Sequence, residues 1–474
     1  MSKYIGIDMG STTISAVLID TEKCDLVAKL SAANECETTR AQDKERGYSE
    51  WDILAMSRQA VELLKELVAK HGGKETDGIG VTGQQHGVVL VDENDEPLSP
   101  FIGWQDRRCL EEADGATTID RMLALGGEML ADTGCVPATG YMASTMLWLK
   151  EQDALPPDVH ACFAPDFLVS YLTDTEPVTD PTLAASSGAY HVTDGRWHGE
   201  LIEALGLDEE YFPVVEPACT KAAGLGESIH EYLGLPKGVP VAVPCGDNQA
   251  SFVGSVAEPD ETVLVNIGTG GQTSAFVSEP LRVEGVDLRP HVQGGYLLVG
   301  AGLSGGRAFQ LLRDFVQEVG RRVFRFRRDP GIYAGLLSLA KDVDKGSDGL
   351  RCVPTFAGTR DEPDQRATWS GMGETNFTPG HMARALFEGM AEQYHGLYEA
   401  MVEAGVGERG KLIGSGNGIR NNDLMADIVS EAFGLELKMP RHAEEAAVGA
   451  ALTAAVTVGE YESIVEASRA FRVE

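Results

Sequence analysis

Positive charge is in short supply: 39 Lys and Arg face 73 Asp and Glu among 474 residues, a net charge of −34 at neutral pH. A surface this acidic repels phosphate backbones and anionic lipid headgroups, which argues against nucleic-acid and membrane-surface partners. No stretch of about 18 uncharged apolar residues occurs, so no membrane-crossing helix is expected. The opening MSKYIGIDMGSTT carries Asp8 where a signal peptide needs a continuous apolar run. The eight cysteines (Cys24, Cys36, Cys109, Cys135, Cys162, Cys219, Cys245, Cys352) form no CxxC pair and show no His/Cys metal spacing. They read as reduced thiols of a soluble, cytoplasmic protein. No GxxxxGK[ST] sequence is present, which removes the P-loop enzymes. No heptad repeat or long apolar edge marks an assembly surface, and a homodimer is left open.

What the chain does contain is glycine, at 55 of 474 residues, and apolar residues at 43% spread along its whole length. The first points to many tight turns or close ligand approaches, and the second excludes a largely disordered chain. Strand–turn–strand character over Tyr4 to Asp20 is followed by an amphipathic helix over Ile53 to His71, with Leu54, Val61, Leu64 and Val68 at helical spacing. Short strands at Ile79 to Thr82 and Val88 to Val91 come next. Helices follow over Thr118 to Leu125, Ala143 to Glu151 and Pro165 to Leu172. The alternation predicts an α/β architecture. Pro236, Gly238 and Pro240 punctuate a boundary that divides the chain into 1–240 and 241–474.

The second half repeats the opening pattern. Ile5-Gly-Ile-Asp8-Met-Gly10-Ser11-Thr12 lines up with Leu264-Val-Asn266-Ile-Gly268-Thr269-Gly270, and each is followed by a second apolar strand, Ile14 to Ile19 and Thr273 to Val277. A bend built from Gly and hydroxyl residues can turn several backbone N–H groups toward one anion. One such hairpin is common; a matched pair, one in each half, points to a duplicated domain that grips a polyphosphate from both sides.

Gly300-Ala-Gly302-Leu-Ser-Gly305 matches the GxGxxG dinucleotide pattern, after a strand at Gly295 to Val299 and before a helix at Arg307 to Val319. The next strand candidate is Val323 to Phe326. The first acid after it, Asp329, lies 29 residues past Gly300 in the run RRVFRFRRD, where about 20 is expected. A dehydrogenase is therefore the weaker reading.

Cys245-Gly-Asp247-Asn248-Gln249 follows the strand Val241 to Val243. A carboxylate at the carboxyl end of a strand sits where α/β sheets place ligands, and Asp247 can accept the proton of a sugar hydroxyl that attacks a phosphoryl group. Taken alone, Asp247 reads first as a helix N-cap. The loops Gln84-Gln85-His86 and Trp104-Gln105-Asp106-Arg107-Arg108 carry amides, acids, cations and an aromatic face that suit a polyol, although a turn histidine, a half-buried Trp and a surface ion pair are the plainer readings. Near the C-terminus, Gly414-Ser415-Gly416-Asn417-Gly418 is a glycine loop that can lie beside a purine. A helix over Asn422 to Phe433 follows it, and the small-residue helix Ala443 to Val456 carries no assigned chemistry.

Taken together, IDMGSTT, GQQHG, WQDRR, CGDNQA, NIGTGGQT, GSGNGIRNND and EEAAVGAAL resemble, in order and from Tyr4 to Ala455, the FGGY carbohydrate kinases. That resemblance implies the duplicated actin/hexokinase-like (ribonuclease H-like) α/β fold, with two domains and an interdomain cleft. It also implies transfer of the ATP γ-phosphoryl group to a sugar, so that sugar and ATP are the small-molecule partners. Asp8 would hold Mg²⁺ through water, and Asp247 would be the general base. Gly10, Ser11, Thr12 and Thr13, with Gly268, Thr269 and Gly270, would cradle the phosphates; Gly414, Ser415, Gly416 and Asn417 would flank the adenosine. Gln84, Gln85, His86, Trp104, Asp106, Asp247 and Asn248 would contact the sugar. Within the family, WQDRRC, TGYMASTMLWL and GNGIRNNDL resemble the sedoheptulokinase branch first and the xylulokinases next. Thr145 replaces a lysine frequent elsewhere in the family, and Gln85 stands where methionine is usual. A non-catalytic actin-like binder of ATP or sugar is the reading from another class.

Overall fold

The computed structural model describes residues 2–326, 331–358 and 365–474. Two sheets carry the architecture, and both are built by one rule. In the first, Lys3–Met9 pairs antiparallel with Thr13–Asp20, which pairs antiparallel with Asp25–Ala33. Thr76–Gly83 runs parallel to Lys3–Met9 on its other side, and Pro240–Ala242 runs parallel to Thr76–Gly83. In the second, Thr262–Ile267 pairs antiparallel with Gly270–Val277, and that strand with Tyr296–Ser304. Lys411–Ser415 and then Leu437–Lys438 continue in parallel on the other side. The identical order of antiparallel and parallel partners is the duplication expected from the two hairpin motifs.

Strands Pro240–Ala242 and Cys245–Gly246 complete the first sheet, so the sequence boundary at 240/241 cuts through that sheet and does not separate it from the second. The expected helices form at Ile53–His71, Thr118–Gly126, Met142–Glu151 and Ala164–Thr173. Asp52 caps the first of these by accepting the Ala55 N–H at 2.8 Å. This helix buries Met56, Ala60, Leu64 and Leu67 against the sheet strands in one apolar cluster.

Small residues decide how the two halves meet. Helix Glu445–Thr457 belongs to the second half by sequence, yet it lies on the first sheet, packing Ala447 and Ala451 with Tyr4 and Val17. A Cβ on Gly6 would overlap the carbonyl oxygen of Ala447, and one on Gly80 that of Ala450. The glycines in these two strands are therefore the means of backbone-to-backbone approach.

The GxGxxG segment departs from its sequence reading. Strand Tyr296–Ser304 runs through Gly300 and Gly302, pairing with Gly270–Val277, so these glycines extend a strand instead of forming a strand-to-helix phosphate turn. Val323 to Phe326 forms no strand, and Asp329 lies outside the described residues. The strand enters helix Gly306–Arg322 through Gly305, but it is paired antiparallel on both sides, so it opens no parallel βαβ unit of the kind a dinucleotide fingerprint requires.

Candidate active site

Register brings the site together. Across the first sheet Asp8 pairs with Thr82, and Thr82 with Cys245, so three parallel strands end side by side at Met9, Gly83 and Gly246. Asp8, Gln84 and Asp247 thus gather at one edge, the carboxyl end where open sheets bind ligands. Asp247 is the first residue of helix Asp247–Val253, whose N-cap is Gly246; the N-cap reading of Asp247 does not hold. The bend before it is braced from below. Asp180 accepts the Thr182 hydroxyl at 2.7 Å, and Thr182 accepts the Gly246 N–H at 2.8 Å. The Thr82 hydroxyl donates to the Cys245 carbonyl at 2.7 Å.

Two cavities meet here. One of about 530 Å³ is lined by Asp8, Gly10 to Thr13, Gln84, Gln85, His86, Trp104, Asp247, Asn248 and, from the second half, Gln272, Arg289, Ala301 and Gly302. The other, of about 1010 Å³, is lined by Thr12, Thr13, Gly268, Thr269, Gly306, Phe309, Tyr333, Gly416, Asn417, Gly418 and Met425, among others. Thr12 and Thr13 border both, so the first hairpin is the junction between them. The smaller cavity is the polar one in character: Gln84 and Gln85 are 2% and 4% exposed, and none of their four amide N and O atoms has a partner among the described residues. Buried amides left this way are costly unless a ligand completes them. His86 is held by the Ser186 carbonyl at Nδ1 (2.9 Å) and stacks on Tyr141 at 4.1 Å. Trp104 stands 48% exposed at the rim.

Several residues implied by the resemblance occupy other positions. Asp106 is fully buried outside both cavities, and its carboxylate accepts from Ser49 N and from Arg108 N, Nε and Nη2 at 2.8–2.9 Å. Gly414 and Ser415 lie buried inside their strand, where Ser415 Oγ accepts from Asn266 Nδ2 at 2.8 Å; the cavity wall begins at Gly416. Gly416 has φ +85° with the Ile267 carbonyl close by, a place only glycine suits. Gly270 has no part in either cavity wall, and the Gly268 N–H is already bonded to the Gly270 carbonyl at 2.9 Å.

Four features escape the sequence reading. Ala443 and Glu445 line the larger cavity, and Glu445 accepts from Arg420 at 2.9 Å, although the helix that Glu445 begins is otherwise a packing element. Gly306 and Arg307, after the GxGxxG segment, line it too, tied to the second hairpin by bonds to the carbonyls of Gly268 and Thr269. Gln272 accepts from Asn248 at 2.7 Å, joining the second hairpin to the Asp247 helix. Arg289 enters the smaller cavity from strand Asp287–Pro290. Its one sequence signal is a charged pair at alternate positions, Asp287 and Arg289, within an otherwise apolar buried strand.

Burial dominates the electrostatics. It pushes the Asp8 carboxyl up to about 7, with Asp247 repelling it further, and Asp247 itself up to about 6. Nearby backbone N–H groups and Arg289 draw Asp247 back toward the charged form. Asp8 Oδ1 is buried without a hydrogen-bond partner. Two crowded carboxylates and an oxygen-only donor set fit a hard divalent cation such as Mg²⁺. A consequence for stability follows. Because the folded chain holds the Asp8 proton more tightly than the unfolded chain, Asp8 contributes most below its ordinary value near 4, and that contribution is lost as pH rises through about 7. Without divalent cation, Asp8→Asn is therefore expected to melt close to the wild type at pH 5 and above it at pH 8. Melting curves that keep the same order and spacing at both pH values contradict this.

Two repeated α/β sheets, a cleft between them and two carboxylates in the polar cavity that adjoins a larger one define a phosphotransferase of the actin/hexokinase-like fold. Family models of the FGGY family of carbohydrate kinases match residues 3–254 as the N-terminal domain and 263–458 as the C-terminal domain. The chain belongs to this family, whose members phosphorylate a sugar hydroxyl. It is 27% identical to sedoheptulokinase of Homo sapiens, covering 94% of this chain and 96% of that protein. It is 24% identical to xylulose kinase of Staphylococcus xylosus, covering 99% and 94%. The fold superposes on the crystal structure of xylulose kinase from Rhodospirillum rubrum with TM-score 0.86 at 23% identity, covering 98% and 92%.

Proposed function

We propose that the chain transfers the γ-phosphoryl group of ATP to a hydroxyl of a ketose, with sedoheptulose the first acceptor and xylulose the second. The observation that carries this is the position of Asp247, which lines the polar cavity beside Gln84 and Gln85 and stands next to Asp8 and the Gly10–Thr13 bend that adjoins the nucleotide cavity. The sugar occupies the smaller cavity, where the partnerless amides of Gln84 and Gln85 and the imidazole of His86 bind its hydroxyls and Trp104 covers the rim. The adenosine lies in the larger cavity against Gly416 and Asn417, with Gly268 and Thr269 at the phosphates. Asp247 Oδ accepts the proton of the attacking hydroxyl as the oxygen–phosphorus bond forms and the bond to ADP breaks. Asp8 would hold Mg²⁺, which supplies charge neutralisation on the phosphates when bound. Draw-in of the two halves around both substrates would exclude water from the junction.

The resemblance of the WQDRRC and GNGIRNNDL segments to the sedoheptulokinase branch, with the 27% identity to human sedoheptulokinase over 94% of the chain, supports the seven-carbon acceptor. A kinase-coupled assay across C3 to C7 ketoses and polyols is expected to give its highest kcat/KM on sedoheptulose. A maximum on xylulose moves the protein to the second acceptor, and ATP consumption with none of them favours a non-catalytic binder.

A further inference from the structure

The smaller cavity receives one cation from the second half of the chain, and it belongs to none of the motifs that identify the family. Arg289, 7% exposed, reaches that cavity from strand Asp287–Pro290, while Gln84 and Gln85 come from the first sheet. Its partner is Asp287, 3% exposed and two residues away on the same strand face, which accepts from Arg289 Nη2 at 2.7 Å. A guanidinium has five N–H donors, and Asp287 takes one of them. Asp287 offsets the guanidinium charge at 2.7 Å and Asp247 feels the remainder, so Arg289 offers directed donors to the cavity with its charge already shared between two carboxylates.

Charge in the rest of the cavity points the same way. Among the described residues Asp8 and Asp247 have no ion pair, and the buried guanidinium that lines this cavity lies 2.7 Å from Asp287. An acceptor with its own carboxylate would face Asp8 and Asp247, while the cation among the described lining residues, Arg289, is already shared between Asp287 and Asp247.

We propose that Arg289 is a sugar-positioning residue that donates hydrogen bonds to uncharged oxygens of the acceptor, and that the Arg289–Asp287 pair makes the cavity select neutral ketoses over sugar acids. This rests on the carbohydrate-kinase reading of the same cavity. Because Arg289 comes from the second sheet, an acceptor held by it and by the glutamines ties the two halves together.

The test uses the full chain. Arg289→Gln alone strands a buried Asp287 and risks unfolding. The double variant Asp287→Asn/Arg289→Gln removes both charges and keeps the shape. It is expected to melt near the wild type, to raise the KM for the ketose about tenfold to a hundredfold, and to leave the KM for ATP unchanged. Arg289→Lys recovers only part of that loss, since an ammonium cannot present the guanidinium fork. Asp287→Asn, which leaves the guanidinium charge unbalanced, raises the ratio of kcat/KM for an aldonate over that for the ketose at least tenfold. A native ketose KM in the double variant, an ATP KM that rises in step, full recovery with lysine, or an unchanged aldonate ratio overturns the assignment. A wild-type chain that consumes no ATP with any ketose or polyol is the separate result that removes the kinase reading itself; wild-type turnover of a ketose beside a double variant with native ketose KM removes only the role of Arg289.

Discussion

Asp247→Asn is expected to lower kcat by about 10²- to 10⁴-fold while the KM for ATP stays near native. The substitution keeps the shape of a part-buried side chain at the start of helix Asp247–Val253, and the braces below it, from Asp180 through Thr182 to Gly246, do not involve the carboxylate. The loss therefore reports proton acceptance and not collapse of the turn. Since burial lifts Asp247 to about 6, the wild-type enzyme should also lose kcat on the acid side of about pH 6, because a base already protonated cannot take the hydroxyl proton. Steady-state kinetics from pH 5 to 8 give both readouts. Turnover of Asp247→Asn within tenfold of native would remove the base from this position.

The second large effect concerns stability. Asp106→Ala is expected to destabilise the protein by about 3–5 kcal/mol, because it leaves the Arg108 guanidinium buried without its main counter-charge. Arg108 is 4% exposed and lies over the rings of Tyr48 (4.4 Å) and Trp148 (5.2 Å). Its remaining anion, Glu50 at 2.7 Å, is itself part-exposed. Asp106 also holds the Ser49 and Arg108 backbone N–H groups, which no alanine can satisfy. Denaturant or thermal unfolding measures the loss; a melting temperature within a degree or two of native would contradict it. The WQDRR loop thus presents Trp104 at the cavity rim while the Asp106 carboxylate is turned inward to Ser49 and Arg108.

Much of the site was legible because its backbone chemistry is local. The two hairpins announce themselves by Gly and hydroxyl residues between apolar strands, and the sheets place them as repeats with matching partners. Gln84, Gln85, His86 and Asp247 sit within a few residues of a glycine turn at a strand end, a pattern visible in one dimension. Asp106 shows the limit of this. Its motif marks a loop that matters, but whether a carboxylate faces a ligand or an arginine depends on side-chain direction, which sequence does not encode by spacing. The GxGxxG segment fails for a related reason. The same glycines serve a strand where the antiparallel partner Gly270–Val277 lies alongside, and that partner is contributed by tertiary pairing.

By itself, the sequence determined the α/β class, the duplication, the two glycine hairpins and a carboxylate at a strand end at position 247, since each follows from periodicity, turn chemistry or a repeated pattern along the chain. Tertiary structure decided what depends on register and on long-range approach. It set Asp8 beside Asp247 across three parallel strands and laid helix Glu445–Thr457 on the first sheet through Gly6 and Gly80. It also brought Arg289 from the far half into the cavity that Gln84 and Gln85 begin. Contacts between residues tens to hundreds of positions apart leave no spacing in the chain to read, and they exist only once the sheets have closed against each other.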